Sequence, residues 1–131
     1  MPDAYELTVS VDAADIDPLG HVNNIVYLRW VQTAATAHWR AIAPPAEQDE
    51  LAWMVVRHEI DYHAAAAPGD DVILRTWIGV AVGLKFERFT EILRASDRKQ
   101  LAAARTLWVP IDRKSGRPKR VSPAVRNLFS M

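Results

Sequence analysis

The feature that most constrains the fold is a run of nineteen residues, IVYLRWVQTAATAHWRAIA at 25–43, with neither glycine nor proline in it. Asn23 and Asn24 stand just before it, where a helix N-cap belongs, so the spacing predicts a helix of roughly 27 Å at 1.5 Å per residue. Only Arg29 and Arg40 are charged, and apolar or small residues occupy most of the circumference. A surface helix needs a polar face, and this one has almost none, so other structure must wrap it. Lipid is a poor candidate for that wrapping, because Arg29, Gln32, His38 and Arg40 would each be costly in a bilayer.

The rest of the chain supplies strands. Tyr5, Leu7, Val9 and Val11 alternate with Glu6, Thr8, Ser10 and Asp12, the period-two pattern of a strand with one buried face. Past Pro44-Pro45 and an acidic loop, Val56, His58, Ile60 and Tyr62 alternate with Arg57, Glu59, Asp61 and His63. The stretches VILRTWIGV, KFERFTEILR and LAAARTLWVPI follow, divided by Gly79/Gly83 and by SDRK. Connections this short allow mainly antiparallel hairpins. The expectation is an α+β chain in which a five-stranded, mainly antiparallel sheet curls around one long central helix, with DRKSGRPKRVSPAVRNLF forming a loop and a short terminal helix.

At 131 residues the whole chain, 1–131, reads as a single domain. Sixteen basic residues balance sixteen acidic ones, but unevenly. Three basic and eleven acidic side chains precede Asp71, thirteen and five follow, and the last nineteen residues hold six basic side chains and no acid. A globally basic nucleic-acid binder is excluded. With no cysteine, disulfides, thiolate nucleophiles and thiolate zinc sites are excluded as well, and no metal site is expected. MPDAYELTVSVD has no basic leader and no continuous apolar run, so a soluble, cytoplasmic protein without membrane contact is expected.

Chemistry concentrates before the helix. Asp15 and Asp17 lie upstream of N–H groups that the helix itself leaves unpaired, at the end carrying roughly half a positive charge. Asp15 is read as a cap. Around Asp17, Pro18 stiffens the loop, Gly20 permits a positive φ, and His21, Asn23 and Asn24 crowd polar groups at the mouth of an apolar helix. A polar cluster facing an apolar channel is a site candidate.

ADIDPLGHVNNIVYLRW resembles the signature of the hot-dog-fold acyl-CoA thioesterases of the 4-hydroxybenzoyl-CoA thioesterase branch, with an Asp-x-Asp-x-x-Gly loop before the central helix. YHAAAAPGDDVILRTWI and IDRKSGRPKRVSPAVRNLF are similar to later segments of that family, and the spelling His-Val-Asn-Asn also resembles its acyl-carrier-protein thioesterases. The resemblance implies a hot-dog fold and hydrolysis of an acyl-CoA to free acid and CoA, with coenzyme A part of the substrate and no cofactor. It makes Asp17 the catalytic carboxylate, as nucleophile or as general base. It makes the backbone N–H of Asn24 the donor that polarises the carbonyl, and sets His21 and Asn23 around the site. His21 is equally well a loop histidine satisfied by backbone. Gln32 and Ala35 occupy positions where the family often carries an acid and an arginine; both partners are gone together, as expected for a lost structural ion pair. No Asp or Glu lies between Asn23 and Ala46, which removes an acid inside the helix as the catalyst.

A coenzyme A substrate needs cations for its phosphates. The candidates are Arg57, Lys85, Arg88, Arg113, Lys114, Arg117, Lys119 and Arg120, with Lys85, Arg88 and Lys119 preferred. The acyl group is expected against Tyr27, Trp30, Val31, Trp53 or Val55, while Trp39 and Trp77 are read as ordinary core. The resemblance further implies a homodimer, or a tetramer of such dimers, joined through the second strands. Asp17 of one subunit would then work beside Arg57 and His58 of the other. Two other readings remain at this stage: an acyl-carrier-protein thioesterase, whose partner would meet the basic tail, and a non-catalytic module binding RNA or another polyanion.

Overall fold

Five strands, one long helix, two short ones and a single 3-10 turn (Ala13–Asp15) are the elements of the described residues, 4–129, of the computed structural model; residues 1–3 and 130–131 of the expected 1–131 span lie outside them. The elements run β1 (Tyr5–Ser10), α1 (Asn24–Ile42), α2 (Pro45–Glu50), β2 (Leu51–Tyr62), β3 (Asp71–Val82), β4 (Lys85–Arg94), β5 (Gln100–Asp112) and α3 (Pro123–Phe129). The strands form one sheet in the order β1-β3-β4-β5-β2, and all four pairings are antiparallel. Among the described residues no helix is long and apolar enough to cross a membrane.

Helix α1 lies against one face of this sheet, as its nearly all-round apolar surface requires. Val26, Tyr27, Trp30, Val31 and Ala34 from its first half pack on Val72, Leu74, Ile92, Ala102 and Ala104. Trp39 and Ala43 at its other end join Leu51, Phe86, Val121 and Val125 in a second cluster, which uses α3 as a cover. The strand registers align Thr76 with Thr90 and Arg88 with Thr106, so a buried polar layer of Arg88, Thr76, Thr90 and Thr106 crosses the sheet between the two clusters.

Three local expectations change. The acidic segment after Pro44 is the short helix α2, not a loop: Pro45 presets the first helical φ, and Gln48 Nε2 donates to the carbonyls of Ala43 (2.8 Å) and Arg40 (3.3 Å) at the end of α1. Strand β2 begins at Leu51 and carries a bulge, where Val55 pairs with Trp108 but Arg57 already pairs with Leu107. The extra residue, Val56, is exposed, and parity reverses there: Trp53 and Val55 are half-buried before it, His58 and Ile60 after it. Trp77 is not core, because it sits on the opposite face of β3 from Leu74 and Thr76, stacked on Phe89 at 5.8 Å beneath the Arg75 guanidinium.

Tyr27 is fully buried, and its hydroxyl accepts a hydrogen bond of 2.8 Å from the N–H of Ala66, itself wholly buried. Tyr27→Phe strands that N–H, so chemical denaturation should show a loss of about 1–3 kcal/mol with an unchanged m-value.

Candidate active site at the N-terminus of the central helix

The loop before α1 is a tight hairpin. Ile16 bridges Val22, the Asp17 N–H donates to the His21 carbonyl, and the Gly20 N–H donates to the Asp17 carbonyl, each of these two bonds 2.9 Å long. Asp17-Pro18-Leu19-Gly20 follows turn chemistry, with Asp first, Pro second and Gly20 last at φ +81. Asp17 Oδ1 accepts the Leu19 N–H at 2.9 Å, which orients the carboxylate, and Oδ2 has no partner among the described residues.

The loop is pinned to the helix start by Asp15, which is 4% exposed. Its carboxylate meets Arg29 Nη2 at 2.7 Å and accepts the Asp12 N–H, while its carbonyl accepts the Asn23 N–H. Burial pushes the Asp15 carboxyl up, but the Arg29 and Asp12 hydrogen bonds and the Arg29 charge together hold it below the ordinary range. Asp15 is the structural acid of the pair, as expected from the sequence. Asn23 caps α1 by accepting the Ile25 N–H at 3.0 Å, and Val26 N–H bonds the Asn23 carbonyl. The Asn24 N–H has no acceptor among the described residues, so one donor stays open at the positive end of the helix. His21 is exposed and contributes its carbonyl to the turn.

The other candidates scatter. Tyr27 is committed to the core, and it does not line the cavity at the far end of α1. His58 faces the helix side of β2, where burial lowers its pKa and its buried Nδ1 finds no hydrogen bond among the described residues; Arg57 lies on the other face, paired with Glu59 at 2.9 Å. Lys85 is exposed at the start of β4, and Lys119 reaches Glu50 at 3.4 Å. Arg88 is not a surface cation. It is 5% exposed, with Nη1 3.0 Å from His38 Nδ1 and 3.0 Å from Thr76 Oγ1, because the inward parity of β4 that buries Phe86 and Thr90 also buries position 88.

A cavity of about 410 Å³ opens at the far end of α1, walled by Trp39, Trp53, Phe86 and Trp108 and reached by Arg88 and Arg113. Its helical lining, Ala35 to Arg40, lies about 17–24 Å along the axis from Asn24. Within one chain, then, the Asp17 carboxylate and this cavity are apart. No local sequence pattern announces this cavity: its residues come from four strands and two helices, and only the fold brings His38 to Arg88. Among the described residues no group of three His, Asp or Glu side chains is placed to hold a metal ion.

Burial, and then the Arg88 charge, lowers His38 from 6.5 to about 4, so Nδ1 accepts from Arg88 at neutral pH. The unfolded chain takes up this proton below 6.5 and the folded chain refuses it until about 4, so the contribution is complete above 6.5 and is lost as pH falls toward 4. His38→Gln should remove about 3 kcal/mol of that pH dependence, read as the difference between variant and wild type in urea melts at pH 6.5 and 4.

The thioesterase-like superfamily matches the chain over residues 11–129. Solved structures share the fold. A 1,4-dihydroxy-2-naphthoyl-CoA thioesterase from Synechocystis superposes with a TM-score of 0.81 at 22% identity, over 96% of this chain and 95% of that one. A thioesterase from Thermus thermophilus, complexed with coenzyme A and Zn, gives 0.83 at 25% identity, over 96% and 97%. A 12:0-ACP thioesterase from Umbellularia californica gives 0.79 at 17% identity, over 95% of this chain and 48% of that one. Among curated proteins none matches the chain in sequence.

Proposed function

The chain belongs to the thioesterase-like superfamily and is a thioester hydrolase of hot-dog fold, and from that premise we propose that its substrate is an acyl-CoA and that Asp17 is the catalytic carboxylate. The observation that carries the assignment is an acid with one oxygen oriented by the Leu19 N–H and the other unpartnered among the described residues, in the loop that leads into the open Asn24 N–H.

Two routes use this pair. In one, Asp17 takes a proton from water, the hydroxide adds to the thioester carbon, the C–S bond breaks, and the thiolate leaves to recover the proton. In the other, an Asp17 oxygen adds to the carbon and expels the thiolate, and water then hydrolyses the acid anhydride to regenerate the carboxylate. Both place negative charge on the carbonyl oxygen, where a donor such as the Asn24 N–H is typically worth about 3–4 kcal/mol of barrier.

A two-fold dimer supplies what one chain separates. Strand β2 is a twelve-residue edge with Met54 and Val56 exposed, a surface that favours antiparallel pairing with its own copy. Such pairing sets the Leu51 end of one β2 against the Tyr62 end of the other. Tyr62 Oη donates to the Asn24 carbonyl at 3.2 Å, so the start of α1 travels with that end, and the Trp53 cavity belongs to the opposite one. The Asp17 loop of one protomer thus meets the cavity of its partner, with His58 near the junction. Lys85, Arg113 and Lys119 share the cavity end of the sheet and are suited to the phosphates of coenzyme A.

Asp17→Asn should cut turnover of acyl-CoA esters, followed by release of free thiol, by at least about a hundredfold while leaving the melting temperature near wild type. An unchanged rate would exclude Asp17. Lys85→Glu or Lys119→Glu should raise KM for CoA esters about tenfold with little change in kcat, and leave N-acetylcysteamine thioesters, which lack the nucleotide, unaffected.

A further inference from the structure

Arg88 is a buried cation with no acid beside it among the described residues. Arg29, Arg57, Arg75, Arg94, Arg98 and Arg105 all pair with carboxylates. Arg88 is buried more deeply than any of them, yet its side-chain bonds among the described residues run only from Nη1 to Thr76 Oγ1 and His38 Nδ1, both neutral at pH 7. Of the acids lining the cavity, Glu87 is held by Arg105 and the Val80 N–H, and Asp49 is exposed on α2 with no ion pair among the described residues. The Arg88 group stays protonated at neutral pH, burial having lowered its pKa only to about 10. A buried charge is costly until something of opposite sign meets it.

The free part of Arg88 has a definite shape. Nε and Nη2 have no partner among the described residues, and they form the side edge of the guanidinium, the fork that receives both oxygens of a carboxylate in parallel bonds. Arg88 lines the cavity, whose walls are aromatic: Trp39 meets Trp53 edge-on at 5.5 Å, and Trp53 meets Phe86 edge-on at 5.1 Å. The volume of about 410 Å³ suits a small organic molecule. Apolar walls and one unneutralised fork describe an amphipathic monoanion.

We propose that the cavity receives an acyl group that is apolar or aromatic along its length and ends in a carboxylate, with Arg88 as the counterion. This makes the preferred substrates thioesters of dicarboxylic acids. The proposal rests on the thioesterase reading and on the two-fold pairing, which put the thioester carbon at Asp17 of one protomer and the acyl group in the cavity of its partner.

Two measurements on the intact protein test it. In the first, adipyl-CoA and hexanoyl-CoA, which share six acyl carbons and differ in the terminal carboxylate, are compared as substrates. In the second, 3-phenylpropionate and 3-phenyl-1-propanol are titrated against tryptophan fluorescence. The wild type should show a KM for adipyl-CoA at least about tenfold below that for hexanoyl-CoA, and a similar preference for the carboxylate over the alcohol, the size expected of a charge-assisted hydrogen-bond pair. Arg88→Met should abolish both preferences and Arg88→Lys should keep part of each. Turnover of both esters with equal KM and no carboxylate preference in binding would overturn the Arg88 assignment and leave the thioesterase reading standing, a result the wild type alone can give. Carboxylate preference in binding with neither ester hydrolysed would overturn the thioesterase reading, and the substrate proposal with it, leaving only an anion site.

Discussion

The enclosure of α1 by the sheet is the constraint on which everything else depends. A helix with Val26, Tyr27, Trp30, Val31, Ala34, Ala35 and Trp39 all buried cannot rest on a flat surface, and the five antiparallel strands present one face to it from end to end. Ala34 and Ala35 occupy the middle of the helix, where small side chains allow the sheet a close approach. The consequence is a core in two parts, one at each end of the helix, separated by a row of threonines and one arginine. Function follows this division. The first part anchors the helix start and the acid-bearing loop, and the second leaves room for a cavity.

At the helix start, backbone geometry does most of the positioning. Asp15 and Asp17 are two residues apart and differ in fate because Asp15 turns into the protein to meet Arg29 and the Asp12 N–H, while Asp17 opens a hairpin turn in which, among the described residues, only one of its carboxylate oxygens is bonded. The same arrangement leaves the Asn24 N–H without an acceptor among the described residues, since Asn23 caps the next amide instead. An acid and an amide donor are thereby held by elements that share hydrogen bonds.

The uneven charge of the chain also acquires a structural meaning. Much of the acidic first half and basic second half is neutralised where the sheet brings the halves together: Glu6 with Arg75 and Arg98, Asp70 with Arg94, Glu59 with Arg105, Glu50 with Lys119. These are mostly exposed or half-exposed pairs, individually worth little, but they join distant parts of the chain. Arg88, on the inner face, stands outside this scheme, bonded to His38 and Thr76 and with no carboxylate beside it among the described residues. Lys85, exposed at the start of β4, has no ion pair among the described residues and lies at the cavity end of the fold.

The sequence by itself determined the long helix, an asparagine cap at its start, most of the strand pattern and the turn that Asp17 opens. All of these are local: they rest on periodicity, turn residues and capping chemistry within a few positions of one another. Tertiary structure decided the rest. Whether Arg88 is a surface cation or a buried one depends on which face of β4 meets α1, a matter of register across the sheet; the side-chain type says nothing about it. The bulge at Val56 reverses the parity of β2, so that Trp53 and Val55 before it share a face with His58 and Ile60 after it, and the aromatic cavity exists only where residues as far apart in the chain as Ala35 and Arg113 converge. Packing assigns such positions because the free energy of burying a charge or a ring depends on its neighbours, and those neighbours are distant in the chain.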